Sequence, residues 1–241
     1  SAEITVEANP EGADTARFAA LRELGFNRLS LGVQSFADQS LRLLGRRHSP
    51  AQAEAACAAA RRAGFGNLNL DLIFAVPGAP PGDWDHSLEQ ALAQGPEHLS
   101  TYALTIEEGT PFAKRERQGR LAPQAEEEQA QVYEGAVVLL EEAGFEHYEV
   151  SNFARPGCRS RHNWGYWQGG QYLGVGLAAH SLLGGRRSWN QRRLRDYLQA
   201  VEAGRSPEAG GEVLDPVAAR AEALWLGLRT SEGIALQQAL V

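Results

Sequence analysis

Three segments of the chain share one pattern, which is the end of an amphipathic helix, a Gly-Phe pair and then a strand-like run. They are LRELGFNRLSLGVQ (21–34), ARRAGFGNLNLDLI (60–73) and LEEAGFEHYEV (140–150). A glycine just past a helix suits the left-handed backbone conformation that commonly ends helices, and the phenylalanine can pack back on the helix. The repeated pattern predicts that helices alternate with strands along the chain.

Four strand-like runs precede residue 106, with helical patterns between them: 3–8, 28–34, 67–74 and 98–105. The helix before the third run is well marked, with Ser49 as its N-cap, Pro50 at its first position and Gln52 as the capping-box partner. Strands and helices that alternate at this spacing are typical of βαβ units with a parallel sheet. The first part of the chain is therefore predicted to have an α/β fold.

The pattern changes after about residue 106. We predict a loop, a long helix, a short strand, an aromatic loop, a glycine-rich strand and a final helix, at 106–123, 124–143, 146–152, 161–167, 172–181 and 215–230. In the final helix, Asp215 is the predicted cap and Pro216 the first residue. This half is predicted to form a separate α+β layer at the end of the sheet.

Polar residues alternate with aliphatic residues in the first three strand-like runs. Glu7, Gln34 and Asp71 each fall opposite the aliphatic stripe, because successive side chains of a strand point to opposite faces. Helices cover the aliphatic face, so the polar face is expected to look into a barrel or crevice, where α/β folds bind ligands. Carboxylates and an amide suit ribose hydroxyls or an ammonium group, and Arg46 can supply a fork for a carboxylate or phosphate. The alternative is that these residues only satisfy one another.

Composition and charge narrow the classes of function. The 241-residue chain has a formal net charge of −7, which argues against a broad nucleic-acid-binding surface, because such a surface is basic. No apolar run is long enough to cross a bilayer, and no signal peptide is visible. Cys57 and Cys158 are the only cysteines, which indicates a reducing compartment. We therefore expect a cytoplasmic protein that binds no nucleic acid.

The segment RHNWGYW (161–167) concentrates one histidine, one asparagine and three aromatic rings between Pro-Gly-Cys (156–158) and Gly-Gly (169–170). The glycines at its borders predict a loop. Three interpretations stay open: a part of the hydrophobic core, a base-stacking platform, or a wall of a pocket for a flat ligand. The net charge opposes base stacking on a nucleic acid, and core packing does not explain His162 beside Asn163.

Eight motifs follow one another in the order of a known family: EITVEANPE, GFNRLSLGVQSF, LGRRHS, NLDLIFAVPG, HLSTYALTIEEGTPF, YEVSNFARPG, RHNWGYW and YLGVGLAAHS. Over nearly the whole chain this order resembles the radical S-adenosylmethionine (SAM) proteins related to oxygen-independent coproporphyrinogen III oxidase. The resemblance implies a partial (β/α)6 barrel with its last four strands in residues 1–105, and a family-specific α+β extension in residues 106–241. By motif, the SAM-contacting positions of the family fall on Glu7, Gln34, Arg46 and Asp71.

Within the family, HNxxYW and IEEGTPF resemble the HemW-type haem chaperones. This implies a protein that binds haem, passes it to membrane-bound haem proteins, and holds SAM and a [4Fe–4S] cluster. The residues implied to face the haem, with imidazole as an axial ligand and flat rings against the porphyrin, are His162, Asn163, Tyr166 and Trp167. The alternative is an enzyme that decarboxylates coproporphyrinogen III by radical chemistry, and whether SAM is cleaved or only bound stays open.

The chain departs from the family in the ligands of the cluster. The CxxxCxxC motif is absent, and Cys57 and Cys158 cannot replace three clustered thiolates. The chain also has no methionine and opens directly on a strand-like run. We therefore expect a fragment whose cluster ligands lie in a preceding segment of the intact protein, with no metal site in the fragment itself.

Overall fold

The computed structural model describes residues 2–235, which form two compact units. The first unit ends at Arg159 and the second begins at Ser160. In chain order, the first unit contains β1 (Thr5–Ala8), α1 (Thr15–Glu23), β2 (Arg28–Gln34), α2 (Asp38–Leu43), α3 (Pro50–Arg62), β3 (Leu68–Phe74), α4 (Asp83–Ala93), β4 (His98–Ala103), α5 (Pro111–Arg117), α6 (Glu126–Glu142), β5 (Glu146–Glu149) and β6 (Asn152–Ala154).

These strands form one sheet in the order β1-β2-β3-β4-β6-β5. The first four are parallel to one another, and the last two join antiparallel. Aliphatic side chains of β2 and β3, among them Leu29, Leu31 and Leu70, are fully buried in a core that also contains Phe18 of α1 and Ala56 of α3. The predicted α/β class, with a parallel sheet, is confirmed.

The Gly-Phe pattern ends helices as predicted. Gly25, Gly64 and Gly144 have φ values of 96°, 87° and 84°, which lie in the left-handed region that glycine adopts readily. Phe65 is buried and meets Phe18 of α1 edge to face, with 6.1 Å between the ring centroids. The strand that follows Gly25 spans 28–34 as predicted, and the other parallel strands are one or two residues shorter than predicted.

Two details between residues 106 and 152 were predicted wrongly. The expected loop over 106–123 contains α5, which begins because Thr110 accepts a hydrogen bond from the Ala113 amide and Pro111 occupies the first turn. The expected strand over 146–152 is divided into β5 and β6. Because both extend the same sheet, the first unit continues past residue 105, and the assignment of 1–105 to the barrel and 106–241 to the extension stays a prediction.

The second unit contains α7 (Arg161–Trp167), β7 (His180–Leu183), β8 (Arg186–Asn190), α8 (Leu194–Glu202), β9 (Glu208–Val213) and α9 (Pro216–Gly227). Its three strands form an antiparallel sheet in the order β7-β8-β9. Among the helices described between residues 2 and 235, none combines the length and apolar character that a membrane span requires.

Two predictions in the second unit were wrong. RHNWGYW is the helix α7 rather than a loop, because Ser160 caps it through the Asn163 amide. The strand expected over 172–181 is reduced to one bridge between Tyr172 and Leu182, followed by β7. The glycines of GVGLAA explain the interruption, since a Cβ on Gly174 would collide with the His180 carbonyl oxygen. Gly174 of GVGLAA (174–179) thus allows two backbone segments to pack closely.

Candidate functional site

One face of the sheet in the first unit carries polar side chains from neighbouring strands. Glu7 of β1 lies directly opposite Ser30 of β2, and Ser30 lies directly opposite Asn69 of β3. Directly paired residues of neighbouring strands point to the same side of a sheet. We call the side that bears Glu7, Ser30, Asn69 and Asp71 the polar face.

Asp71 lies at the centre of the hydrogen bonds on the polar face. Its Oδ2 accepts from the Ser30 hydroxyl at 3.0 Å, and its Oδ1 accepts from Asn69 Nδ2 at 2.8 Å. Burial raises the pKa of Asp71, these donors and Ser100 oppose the rise, and the negative charge of Glu7 adds to it. The two carboxylates predicted to contact SAM therefore share one face and interact electrostatically.

Gln34 lies on the polar face, but strand alternation alone does not account for its position. The β2–β3 register shifts between Leu31 and Gln34, so that Gln34 pairs with Leu72 of the aliphatic stripe. Gln34 itself has a φ of 68°, a left-handed conformation that costs a residue with a side chain about 1–2 kcal/mol. A Cβ built on Gly32 would lie 2.9 Å from Gln34 Nε2, so the amide lies over Gly32, on the side of Ser30.

Left-handed backbone recurs at the carboxyl end of the next strand. Ala75, directly after β3, has a φ of 57°. Non-glycine residues in this conformation are costly and cluster at ligand sites and active sites. Two adjacent parallel strands thus carry backbone strain at the end where α/β folds bind ligands.

Arg46 lies in the loop between α2 and α3, and its side chain is exposed. The same loop is tied to the end of β2, because His48 Nε2 donates to the Val33 carbonyl at 2.8 Å. The structure therefore brings Glu7, Gln34 and Asp71 to one face and anchors the loop of Arg46 beside Gln34. Glu7 is exposed at this face, whereas Gln34 is buried.

The residues predicted to face haem lie on α7 and divide between two of its faces. His162 and Tyr166 are four positions apart, and Tyr166 Oη lies 2.9 Å from His162 Nε2. Their rings meet edge to face at 4.8 Å between centroids, and Tyr172 continues the row at 4.6 Å from Tyr166. His162 and Tyr166 are exposed. Asn163 follows His162, and its amide completes the Ser160 cap.

Trp167 takes part in a different feature, a cleft of about 770 Å³ within the second unit. We call it the aromatic cleft. Trp164 and Trp167 of α7 line it opposite small residues of α9, including Ala219 and Ala223. Its volume lies within the range of about 300–1,000 Å³ that is common for small-molecule sites. Arg220, which also lines the cleft, escaped the sequence analysis because nothing in the sequence of α9 singles it out.

The cysteines do not fit a [4Fe–4S] cluster. Cys57 is buried in α3, and burial raises the pKa of its thiol to about 12, whereas a cluster binds thiolates. Cys158 lies in the loop before α7, and burial raises its pKa as well. Within residues 2–235, no group of three or more His, Cys, Asp or Glu side chains is arranged to hold a metal ion.

Reconstitution of this 241-residue chain with iron and sulfide is expected to give less than stoichiometric [4Fe–4S], because a cluster needs more thiolates than its two separate cysteines provide. Iron and sulfide analysis, together with the visible absorbance of the desalted protein, measures the outcome. A Cys57→Ala, Cys158→Ala double variant is the control for adventitious iron. A stable cluster that depends on these two cysteines would contradict the expectation.

Comparisons with known proteins show what the sequence and the fold are similar to. Residues 1–91 match the family model of the Radical SAM superfamily. Over 98% of its length the chain is 42% identical to haem chaperone HemW of Mycobacterium tuberculosis and 39% identical to haem chaperone HemW of Synechocystis. These matches cover 60% and 58% of the relatives, so the chain spans about three fifths of their length.

A solved structure shares the fold. Coproporphyrinogen III oxidase (HemN) from Escherichia coli, a radical SAM enzyme, superposes on 95% of this chain and 55% of its own, with a TM-score of 0.80 and 25% identity. Family model, sequence similarity and fold point to one conclusion. Residues 1–91 therefore match the Radical SAM superfamily, and nearly the whole chain is similar in sequence to the HemW haem chaperones.

Proposed function

We propose that the intact protein is a haem chaperone of the HemW type, which holds SAM at the polar face and haem at α7. The sequence similarity to HemW over 98% of the chain supports the chaperone role. In the same proposal the protein is cytoplasmic and delivers haem to membrane-bound haem proteins. SAM, together with the cluster carried by the complete protein, would supply the radical chemistry of the superfamily.

For SAM, the chemistry of the polar face supports the proposal. Glu7 and Asp71 offer carboxylates to an ammonium group or to ribose hydroxyls, and Gln34 offers an amide that both donates and accepts. Arg46 would hold the methionyl carboxylate, since guanidinium binds carboxylates through two parallel hydrogen bonds. The absence of a side chain at Gly32 leaves room for the Gln34 amide to lie on this face.

For haem, the observation that carries the proposal is the aromatic cleft beside a histidine-bearing helix. Trp164 and Trp167 present flat rings within a volume suitable for a small molecule. His162 lies on another face of α7, outside the lining of the cleft, and would provide an axial imidazole there, with its Nε2 2.9 Å from Tyr166 Oη. Arg220 in the cleft lining would pair with a propionate.

Coproporphyrinogen III oxidase activity is the second candidate, because the fold of the E. coli oxidase matches 95% of this chain. An anaerobic assay of porphyrinogen decarboxylation with the intact, cluster-loaded protein separates the two. The chaperone proposal expects no turnover above a control without SAM. Sustained, SAM-dependent decarboxylation would favour the oxidase.

His162→Ala in the intact protein is expected to weaken haem binding by about tenfold or more, because even outer-shell partners of metal ligands are worth about 10–100-fold in affinity. It should also shift the Soret band, since the axial ligand changes. Titration with haem, followed by absorbance, measures both. Circular dichroism should stay unchanged, because His162 is exposed.

His180→Ala is the matched control, since His180 is an exposed histidine of the same unit and lies outside α7 and the aromatic cleft. Its haem affinity and spectrum should equal those of the parent. If both variants behave like the parent, His162 is no haem ligand and α7 serves packing alone.

A further inference from the structure

We propose that His98 and Tyr148 are positioning residues, which act through Asn69 to hold the Asp71 carboxylate in place for the cationic part of SAM. The inference rests on the proposed SAM site. It adds two buried residues from the strands beyond β3, and His98 pairs directly with Asn69 and so lies on the same side of the sheet. A chain of hydrogen bonds joins Tyr148 of β5 to Asp71 of β3 by way of β4.

The distances define this chain. Tyr148 Oη lies 2.7 Å from His98 Nε2, and His98 Nδ1 lies 2.6 Å from Asn69 Oδ1. Asn69 Nδ2 then donates to Asp71 Oδ1 at 2.8 Å and to Ser30 Oγ at 2.7 Å. Tyr148, His98 and Asn69 are only 0%, 1% and 2% exposed, so water does not compete for these bonds.

The direction of every bond follows from the chemistry of the groups. Asn69 turns its amide nitrogen to the carboxylate, which leaves its oxygen facing His98, and an amide oxygen only accepts. His98 therefore carries its proton on Nδ1. Burial, with Arg28 nearby, holds the pKa of His98 well below its usual range, so the ring is neutral and Nε2 accepts. Tyr148 must donate to it.

All the donors thus point one way, toward Asp71. A second hydroxyl, that of Ser100, donates to Asn69 Oδ1 at 3.2 Å and reinforces the orientation of the amide. Without the His98 donor, the amide loses the stronger of these two bonds and can turn its oxygen to Asp71. Two acceptors would then face each other, and the ionised carboxylate would lose a hydrogen bond while it stays buried.

Several charged or titratable groups surround this position. Burial raises the pKa of Asp71 and of Tyr102 on β4, and the charge of Glu7 on β1 adds to the first rise and that of Asp71 to the second. Glu149 of β5 also raises the pKa of Tyr102, and Arg28 of β2 acts on His98. The donors that converge on Asp71 therefore oppose both burial and like charge at the point where a cation is to bind.

Two substitutions at His98 separate positioning from packing. In His98→Asn, the new Nδ2 replaces imidazole Nδ1 and keeps the donor to Asn69. In His98→Gln, the new amide reaches the Nε2 position near Tyr148 and leaves Asn69 without that donor. Both variants remove the buried ring, so both lose stability to a similar extent.

We expect His98→Gln to raise the pKa of Asp71 by about one pH unit, the value of one hydrogen bond to a charge, and to weaken SAM binding by up to about tenfold at a pH below that pKa, where the ionised fraction falls. His98→Asn should stay within about threefold of the parent. The first quantity is measured by ¹³C NMR titration of the Asp71 carboxyl carbon in the intact apoprotein, and the second by anaerobic calorimetry with SAM.

In an Asp71→Asn background, His98→Gln should have no further effect on SAM affinity, as a double-mutant cycle requires when one residue acts through another. If His98→Gln fails to fold, Tyr148→Phe removes only the hydroxyl and should raise the pKa of Asp71 in the same direction, by less.

The pKa of Asp71 and the affinity for SAM test the positioning role and the SAM site separately. An unchanged Asp71 pKa in folded His98→Gln or Tyr148→Phe protein overturns the positioning role, whether or not SAM binds. Equal losses of SAM affinity in His98→Asn and His98→Gln overturn it as well, since packing alone would produce them. If the parent protein does not bind SAM although the Asp71 pKa shifts as expected, the positioning of Asp71 stands and the proposed SAM site falls.

Discussion

Asp71→Asn is expected to lower the affinity of the intact protein for SAM about 100-fold. Asp71 is the carboxylate at which the Ser30 and Asn69 donors converge, and it is largely withdrawn from water. Removing one partner of a buried, hydrogen-bonded charge pair costs about 2–5 kcal/mol, and 2.7 kcal/mol corresponds to 100-fold. The substitution keeps the size of the side chain, so the effect is one of charge. Anaerobic calorimetry with SAM measures it.

The affinity for SAM is also expected to depend on pH. Burial raises the pKa of Asp71, so the carboxyl takes up its proton at a higher pH than an ordinary aspartate does. A cation binds to the ionised form. SAM affinity of the parent should therefore fall as the pH is lowered through this raised pKa, whereas Asp71→Asn should lack that descending limb.

Glu54→Gln is the control for a lost negative charge, because Glu54 is an exposed carboxylate on α3, the helix that covers the aliphatic side. Its SAM affinity should match that of the parent. If the Asp71→Asn protein binds SAM as tightly as the Glu54→Gln protein, Asp71 is not part of the SAM site.

Local sequence signals predicted the first unit well because each one acts over a few residues. Glycine after a helix, the Ser49 capping box and strand alternation all report on neighbouring positions, and the structure contains each of them. Alternation also placed Glu7 and Asp71 on one face. For Gln34, alternation predicted the correct face but not the full cause. A register shift and a left-handed φ also determine where its side chain lies.

The second unit shows where glycine misleads. The glycines that border RHNWGYW favoured a loop, yet Ser160 and the His162–Tyr166 spacing are both helical signals, and Gly165 lies inside the helix. In GVGLAA the apolar residues suggested a strand, but Gly174 serves the close approach of two backbones. One residue type thus marks a helix interior in one segment and a backbone contact in another.

The hydrogen-bond chain that leads to Asp71 could not be predicted from the sequence, for a different reason. His98 and Tyr148 lie 27 and 77 positions after Asp71 in the sequence, and they reach Asn69 only because β4 pairs with β3 and the antiparallel strands join beyond it. No local pattern encodes that pairing. The polar residues at 30, 69 and 98 were visible, but their mutual contacts depend on the assembled sheet.

Leu70→Ala is expected to lower the free energy of unfolding of the first unit by about 2–5 kcal/mol, the usual cost when a buried leucine leaves a cavity in a core. Leu70 is fully buried in the middle of β3, between Leu31 of β2 and Leu99 of β4. Parallel strands packed on both sides leave little room for neighbours to move into the space. Urea denaturation followed by fluorescence and circular dichroism measures the change.

Leu24→Ala is the matched control, because Leu24 lies in the same unit, is 75% exposed, and loses the same atoms. Its effect should stay within about 0.5 kcal/mol, as for most surface substitutions. Leu70 also lies between Asn69 and Asp71, so the cavity opens directly beneath the polar face. If the two substitutions lower the free energy of unfolding equally, the aliphatic stripe of β3 is not the core that supports the polar face. The geometry proposed for the SAM site would then be contradicted.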